Sequence, residues 1–292
     1  MTAAEAKTIR AVLSRIEENF GCFPENYLVV DLETTGVNVS EDLPLQFGYC
    51  LVAGGKVVEC KAMDINWLDK CGISSSWVTQ RMDKARRSML EKGKSYRMSV
   101  ERLQARGKDP IPALMLLYEL IRRIHDAEGF ILAHNGVNFD TPMISTVLRD
   151  FLNVEFDFGE NLVVDTGIIE KAIQLGEVPL PDESLATFSR RVGYIRAKGV
   201  MWSLDNHCLP KYDLVKRMPA GSEMHDAGHD AYAVHLLFET YRDLLRQFDE
   251  RGADHEIPDD QGTGGCEVPG ELAGFDPFST DDWSQAEVDL GD

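Results

Sequence analysis

The run Leu28-Val29-Val30-Asp31-Leu32-Glu33-Thr34-Thr35-Gly36 constrains this chain most, because an apolar stretch ends there in two carboxylates and a glycine. Punctuated upstream by Phe23-Pro24-Glu25-Asn26, it reads as a buried strand over about 27–32. Successive strand side chains alternate between faces, so Asp31 and Glu33 share one while Leu32 points to the other. Two acids on one face repel unless a cation sits between them. A bare Asp-x-Glu is also what a solvated strand end looks like, so the reading depends on partners further along.

Residues 1–20 place Ile9, Val12, Leu13, Ile16 and Phe20 at helical spacing and lack the long apolar run of a signal peptide. Segments 45–52 and 56–61 flank Gly54-Gly55, which predicts a hairpin beside the first strand. Residues 66–109 are polar and basic with no strand pattern, an insertion-like stretch compatible with helix. A helix over 112–127 aligns Leu114, Leu117, Leu120, Ile121 and Ile124, with Gly129 as its stop. Phe130-Ile131-Leu132-Ala133 then makes a short buried strand. It runs into His134-Asn135-Gly136-Val137-Asn138-Phe139-Asp140 and a helix over 141–151 with Pro142 in its first turn. Asp140 is thereby placed near a helix N-terminus. A strand and turn over 162–166, a short helix over 184–192 and a long amphipathic helix over 231–248 complete an α/β or α+β layer pattern.

A chain of 292 residues with 43% apolar content has a real core and room for one large domain or two small ones. Its net charge of -19 appears hostile to nucleic acid until it is divided. Twelve acids and no Lys or Arg follow Arg251, so most of the excess belongs to the tail. Over 70–108, by contrast, eleven basic residues face only Asp83, Glu91 and Glu101. That segment suits a phosphate backbone, or equally a solvated helical face. The acidic tail, 251–292, is expected to be disordered. Phe275, Phe278 and Trp283 within it suit either an interaction segment or an inert solubilising one. Six scattered cysteines, Cys22, Cys50, Cys60, Cys71, Cys208 and Cys266, signal neither a zinc knuckle nor a disulfide framework. Reduced thiols in a cytoplasmic protein, with no membrane span, are the expectation.

The downstream partner of the opening strand is His225-Asp226-Ala227-Gly228-His229-Asp230-Ala231. On one continuous helix His225 and Asp230 would point about 140° apart. Gly228 suggests instead that the helix begins near His229, leaving His225 on a loop that can fold over Asp230. A zinc pair formed by His225 and His229 is disfavoured, since the glutamate of His-Glu-x-x-His is missing. His134, His207 and His235 read as packing or surface histidines, with His134 beside Asn135 also within reach of a substrate. Asp165-Thr166 reads as a structural turn, and Asp226 as a cap or a solvent-facing acid. The polar stretch 196–223, with Trp202, His207, Cys208 and Tyr212, suits a lid or a stacking surface.

Taken together, Asp-x-Glu-Thr-Thr-Gly, then Asn-x-x-Phe-Asp after a buried strand, then His-x-Ala-x-x-Asp-Ala resemble the DnaQ-like DEDDh exonucleases of the ribonuclease H-like superfamily over about 27–248. The resemblance implies a ribonuclease H-like mixed central sheet flanked by helices, here with a helical basic insertion (about 66–109) and the acidic tail. It divides the chain into an N-terminal helix (1–24), an exonuclease domain (25–250) and the tail. It implies two Mg²⁺ or Mn²⁺ ions held by Asp31, Glu33, Asp140 and Asp230, with Asp31 bridging and His225 as the base. The tyrosine subclass would need its base at the position of Asp226. The resemblance further implies that Leu32, Thr34, Thr35, Gly36, His134, Asn135 and Phe139 meet the terminal nucleotide. The activity implied is 3′→5′ hydrolysis of DNA in proofreading or repair. RNA trimming, or a subunit recruited to a replication or repair protein through the tail, is the alternative.

Overall fold

In a computed structural model, the structure describes residues 1–222 and 224–253. The expected tail interaction residues Phe275, Phe278 and Trp283 lie outside these. Helix α1 (Ala3–Phe20) opens on a reciprocal cap, in which Thr2 and Glu5 each bond the other's backbone amide, and ends at left-handed Gly21. Strands β1 (Tyr27–Thr34), β2 (Pro44–Ala53) and β3 (Lys56–Asp64) follow as an antiparallel meander, with the turn at Gly54-Gly55. The basic segment is helical, forming α2 (Ser75–Glu91) and α3 (Val100–Arg106). Helix α4 (Pro110–Asp126), β4 (Phe130–Ala133), α5 (Asp140–Leu152), β5 (Val163–Asp165), α6 (Thr166–Leu175) and α7 (Leu185–Tyr194) come next. A π-helical turn (Leu204–Cys208) and the single turn α8 (Leu209–Lys211) lead to the long α9 (Ala227–Ala253).

The strands form one five-stranded sheet in the order β3-β2-β1-β4-β5, with β1, β4 and β5 parallel. The result is a mixed central sheet flanked by helices, the architecture that the motif order implied. Tyr27 and Val29 of β1, with Phe130 and Leu132 of β4, meet α1, α6 and α9 in one apolar core. Tyr27 stacks on Phe130 there while both meet Phe238 edge-on, and the Tyr27 hydroxyl donates to Glu239 at 2.9 Å, so its polar end is satisfied. The alternate residues of β1 turn to the other face, where α4 and α5 pack. Because Asp31 and Glu33 have the parity of Tyr27 and Val29, the acids emerge on the α9 side where the apolar core stops. Strand β3 is the outer edge of the sheet and is largely exposed, with Lys56 and Lys61 among its solvent-facing residues.

Three expectations require correction. Helix α6 has no counterpart in the sequence reading, because Asp165 both ends β5 and caps α6, accepting from the amides of Gly167 and Ile168. No loop residue marks that boundary. Helix α9 begins at Ala227 rather than near His229, with Gly228 inside its first turn. Cys50 and Cys60 stand opposite each other in the β2/β3 ladder and are joined as a disulfide, not held as two reduced thiols. Among the described residues, no helix is long and apolar enough to cross a membrane.

Gly48 sets how close α9 comes to the sheet. A β-carbon there would lie 1.9 Å from the backbone of Ala227, a distance no side-chain motion relieves. Gly48→Ala is therefore expected to cost about 1–3 kcal/mol, read as a lower urea midpoint. An equally stable variant would show that α9 does not need this seat.

Candidate metal centre

Strand β1 carries Asp31 and Glu33 past the apolar core, opposite Gly48 and Gln46 of β2. The bare backbone at Gly48 admits the first turn of α9, and the Gln46 side chain accepts from the Ala227 amide at 2.8 Å. Asp230 is thereby buried beside Glu33. His225 lies outside the helix in a left-handed conformation, φ 64°, and its backbone amide donates to Asp230 Oδ2 at 3.2 Å. Ligand atoms of Glu33, His225 and Asp230 all come within 4.8 Å of one another. The second oxygen of Asp230 is buried with no hydrogen-bond partner, which for a carboxylate is costly.

Asp140 arrives from the opposite side. After β4 the chain turns through left-handed Asn135 into a short 3-10 turn, Gly136–Asn138. Buried Asp165 fixes this turn by accepting from the amides of Asn135 (2.8 Å) and Val137 (3.2 Å) as well as capping α6. The structural role read for Asp165 is thus borne out. Asp140 then begins α5, where the exposed helix amides favour an anion, and the Leu32 amide also bonds its carboxylate.

The electrostatics bind these acids into one group. Asp31 titrates well above the usual carboxylate range, first through burial, then through the charges of Asp230, Asp140 and Glu33. Burial and then Asp226 push Glu33 up to about 7. Asp140 rises to about 8 through burial and Asp165. Asp230 rises to about 8 through burial and Glu33. The tight set is Glu33, His225 and Asp230; Asp31 and Asp140 join it through their fields. Four hard oxygen donors, one with an orphaned oxygen, and no thiolate among them fit Mg²⁺ or Mn²⁺ far better than a soft metal. His225 titrates below its ordinary range because it is partly buried and faces Lys94, against the opposing pull of Asp205.

Around this centre the other nominated residues are distributed unevenly. Leu32 is buried, and Phe139 is half-buried just before Asp140. The Thr34-Thr35-Gly36 turn is held by buried Asp42, which accepts from the Thr35 hydroxyl at 2.8 Å and leaves no room for a β-carbon on Gly36. His134 has both ring nitrogens engaged, with Thr166 at 3.0 Å and the Trp202 carbonyl at 2.8 Å, so here it braces the 196–222 segment. Asp226 stands at the cap position just before α9, where its carbonyl accepts from the Asp230 amide at 3.0 Å, and its half-buried side chain accepts from Arg102 and Gln46, both at 3.3 Å. Arg102 also clasps Asp64 at the end of β3 through two bonds, at 2.7 and 2.8 Å, so it ties the basic insertion to the sheet as well as to the loop that carries His225. Sequence reasoning missed Asp42, Lys94, Arg102 and Asp205. The excess of basic residues over 70–108 was the one signal available, and it named no residue.

No family model matches the chain, and no curated protein matches it. Among solved structures it is similar to E. coli exonuclease I in complex with a dA16 oligonucleotide, at 18% identity and a TM-score of 0.46, over 77% of this chain and 42% of that one. The ExoI/SSB-Ct complex is similar at 18% identity and a TM-score of 0.46, over 77% and 43%. A product-bound structure of exonuclease I gives 18% and 0.45, over 77% and 46%. The chain thus spans less than half the length of these solved proteins.

The upward shifts set the sign of the pH dependence. The folded state keeps protons that the unfolded chain has released, so stability without divalent ions declines as pH rises from about 4 towards 8. At pH 8, Asp31→Asn is expected to stabilise the metal-free protein by roughly 1–2 kcal/mol, and Mg²⁺ or Mn²⁺ should raise the melting temperature of wild type but not of the variant. Equal cation responses in thermal melts would refute the centre.

Proposed function

We propose that the protein is a metal-dependent 3′→5′ exonuclease that hydrolyses phosphodiester bonds at DNA ends and releases nucleoside monophosphates. What supports this reading is the cluster of Glu33, His225 and Asp230, whose ligand atoms lie within 4.8 Å of one another, with the charges of Asp31 and Asp140 acting on the same group. Polarity and product follow from the motif resemblance, and RNA is the alternative substrate.

Hydrolysis of a phosphodiester needs an activated water, an in-line approach and neutralisation of the charge that builds on phosphate and leaving oxygen. Two divalent ions, when bound, supply the lowered water pKa and that neutralisation. Asp31, Glu33, Asp140 and Asp230 are the residues that would hold them. Gly48, Gln46, Asp165 and the Leu32 amide position the elements and side chains that carry these acids. His225 takes the proton of the attacking water. A neutral imidazole is the competent form, and the partial burial and cations that lower its pKa keep it neutral at physiological pH.

The test is digestion of 5′-labelled single-stranded DNA, duplex DNA and RNA with Mg²⁺ or Mn²⁺. A ladder shortening from the 3′ end is expected. Asp31→Ala is expected to abolish it, whereas His225→Ala should lower the rate by roughly a hundredfold or more with little loss of binding. Internal cuts, EDTA-insensitive activity or a fully active Asp31→Ala would overturn the proposal. Shortening of RNA alone would transfer it to the alternative substrate.

A further inference from the structure

The loop 92–99 joining α2 to α3 reaches the candidate site. Its Lys94 ammonium lies 2.8 Å from Asp205 Oδ2, and the Arg97 guanidinium donates to the Met224 carbonyl at 3.2 Å, one residue before His225. Between them, the Tyr96 hydroxyl is buried with no hydrogen-bond partner. The charge of Glu33 contributes to holding that hydroxyl above its ordinary range, after burial itself, which places the loop beside the acids. Lys94 in turn lowers the pKa of both Glu33 and His225, so it stands at the edge where His225 and Glu33 meet.

Asp205 comes from the other wall, in the π-helical turn before α8. Its Oδ2 faces two cationic or potentially cationic groups at once, Lys94 and His225 Nε2, the latter at 3.7 Å. Its Oδ1 is already taken by the amide and side chain of Asn206, at 2.8 and 3.0 Å. Buried Glu170 secures the segment that carries Asp205, accepting from Lys211 (2.7 Å) and Tyr212 (2.8 Å) and bonding His207 (2.9 Å). The anion is therefore fixed. The cation is not, because Lys94 sits on a four-carbon stem in a loop that turns at left-handed Gly93.

We infer that Lys94 is a phosphate ligand kept in reserve on Asp205, and that an incoming nucleic-acid phosphate takes Lys94 from Asp205 in an exchange of anions. The inference rests on the nuclease reading above. The Lys94 and Asp205 side chains both keep some exposure to solvent, so an incoming phosphate can reach the ammonium and compete with Asp205 for it. A phosphate offers the same ammonium a charge-assisted partner and releases counterions as it binds. Asp205, relieved of Lys94, keeps its Oδ2 for the imidazole 3.7 Å away.

The test is a double-mutant cycle on binding rather than on cleavage, using fluorescein-labelled oligothymidylate and oligouridylate in EDTA with anisotropy as the readout. Lys94→Gln should weaken binding roughly fivefold to tenfold and flatten the logarithmic salt slope by about 0.7, and Lys94→Arg should restore most of the loss. Asp205→Asn should tighten binding about threefold, but only while Lys94 is present. In the double variant that tightening should vanish. Equal tightening with and without Lys94 would reveal mere relief of negative charge and overturn the exchange, as would a Lys94→Gln variant that binds like wild type. Matching melting temperatures exclude misfolding, and the Lys94→Arg arm decides the matter if Lys94→Gln is unstable. Wild type that binds neither oligonucleotide would overturn the nuclease reading and the exchange together; wild type that binds with an additive cycle would overturn the exchange alone.

Discussion

Mutual repulsion of carboxylates is the constraint that the rest of the structure is built to withstand. Asp31 and Glu33 share a strand face by the geometry of the strand itself, and Asp140 and Asp230 are brought to them from two helices. Each imported acid enters with a device that makes its charge bearable. Asp140 has a helix N-terminus and the Leu32 amide, and Asp230 has the first turn of α9 and the His225 amide. The closeness of α9 depends in turn on Gly48, where any side chain would collide with the helix backbone.

Two polar clusters hold the walls on either side. Arg102 joins Asp64 at the end of β3 to Asp226, the neighbour of His225, so the insertion is fastened to the sheet and to the His225 loop together. Across the site, Glu170 is wholly buried yet fully satisfied, with Tyr241 of α9 adding a bond at 3.2 Å to those from the 207–212 segment. Burial alone would raise this carboxyl, but its donors outweigh that, and it titrates below the ordinary range. Removing one donor from such a cluster costs more than a surface ion pair does, because the remaining charge stays buried.

How much could be read from the chain beforehand follows from range. The period-two placement of Asp31 and Glu33, the glycine hairpin, the short strand before His134 and the helix start at Asp140 are local patterns, and all were legible. Helix α6 was hidden because Asp165 serves two elements at once. The start of α9 was misplaced by reading Gly228 as a breaker; the glycine is there because a β-carbon would press on Ala62 at 3.1 Å. Asp205 and Lys94 carry no motif, and 111 positions of chain separate two groups that meet at 2.8 Å. The Cys50–Cys60 pair is likewise a matter of cross-strand register, which spacing along the chain does not reveal.

The parallel pairing of β1 with β4, and the seating of α9 over β2, have a consequence for synthesis. As the chain emerges from the ribosome, Asp31, Glu33 and Asp140 are all made before Ala227. Until α9 follows, Gly48 has no helix against it and the acid set lacks its fourth member. The candidate centre thus gains Asp230 only with the last described element of the fold.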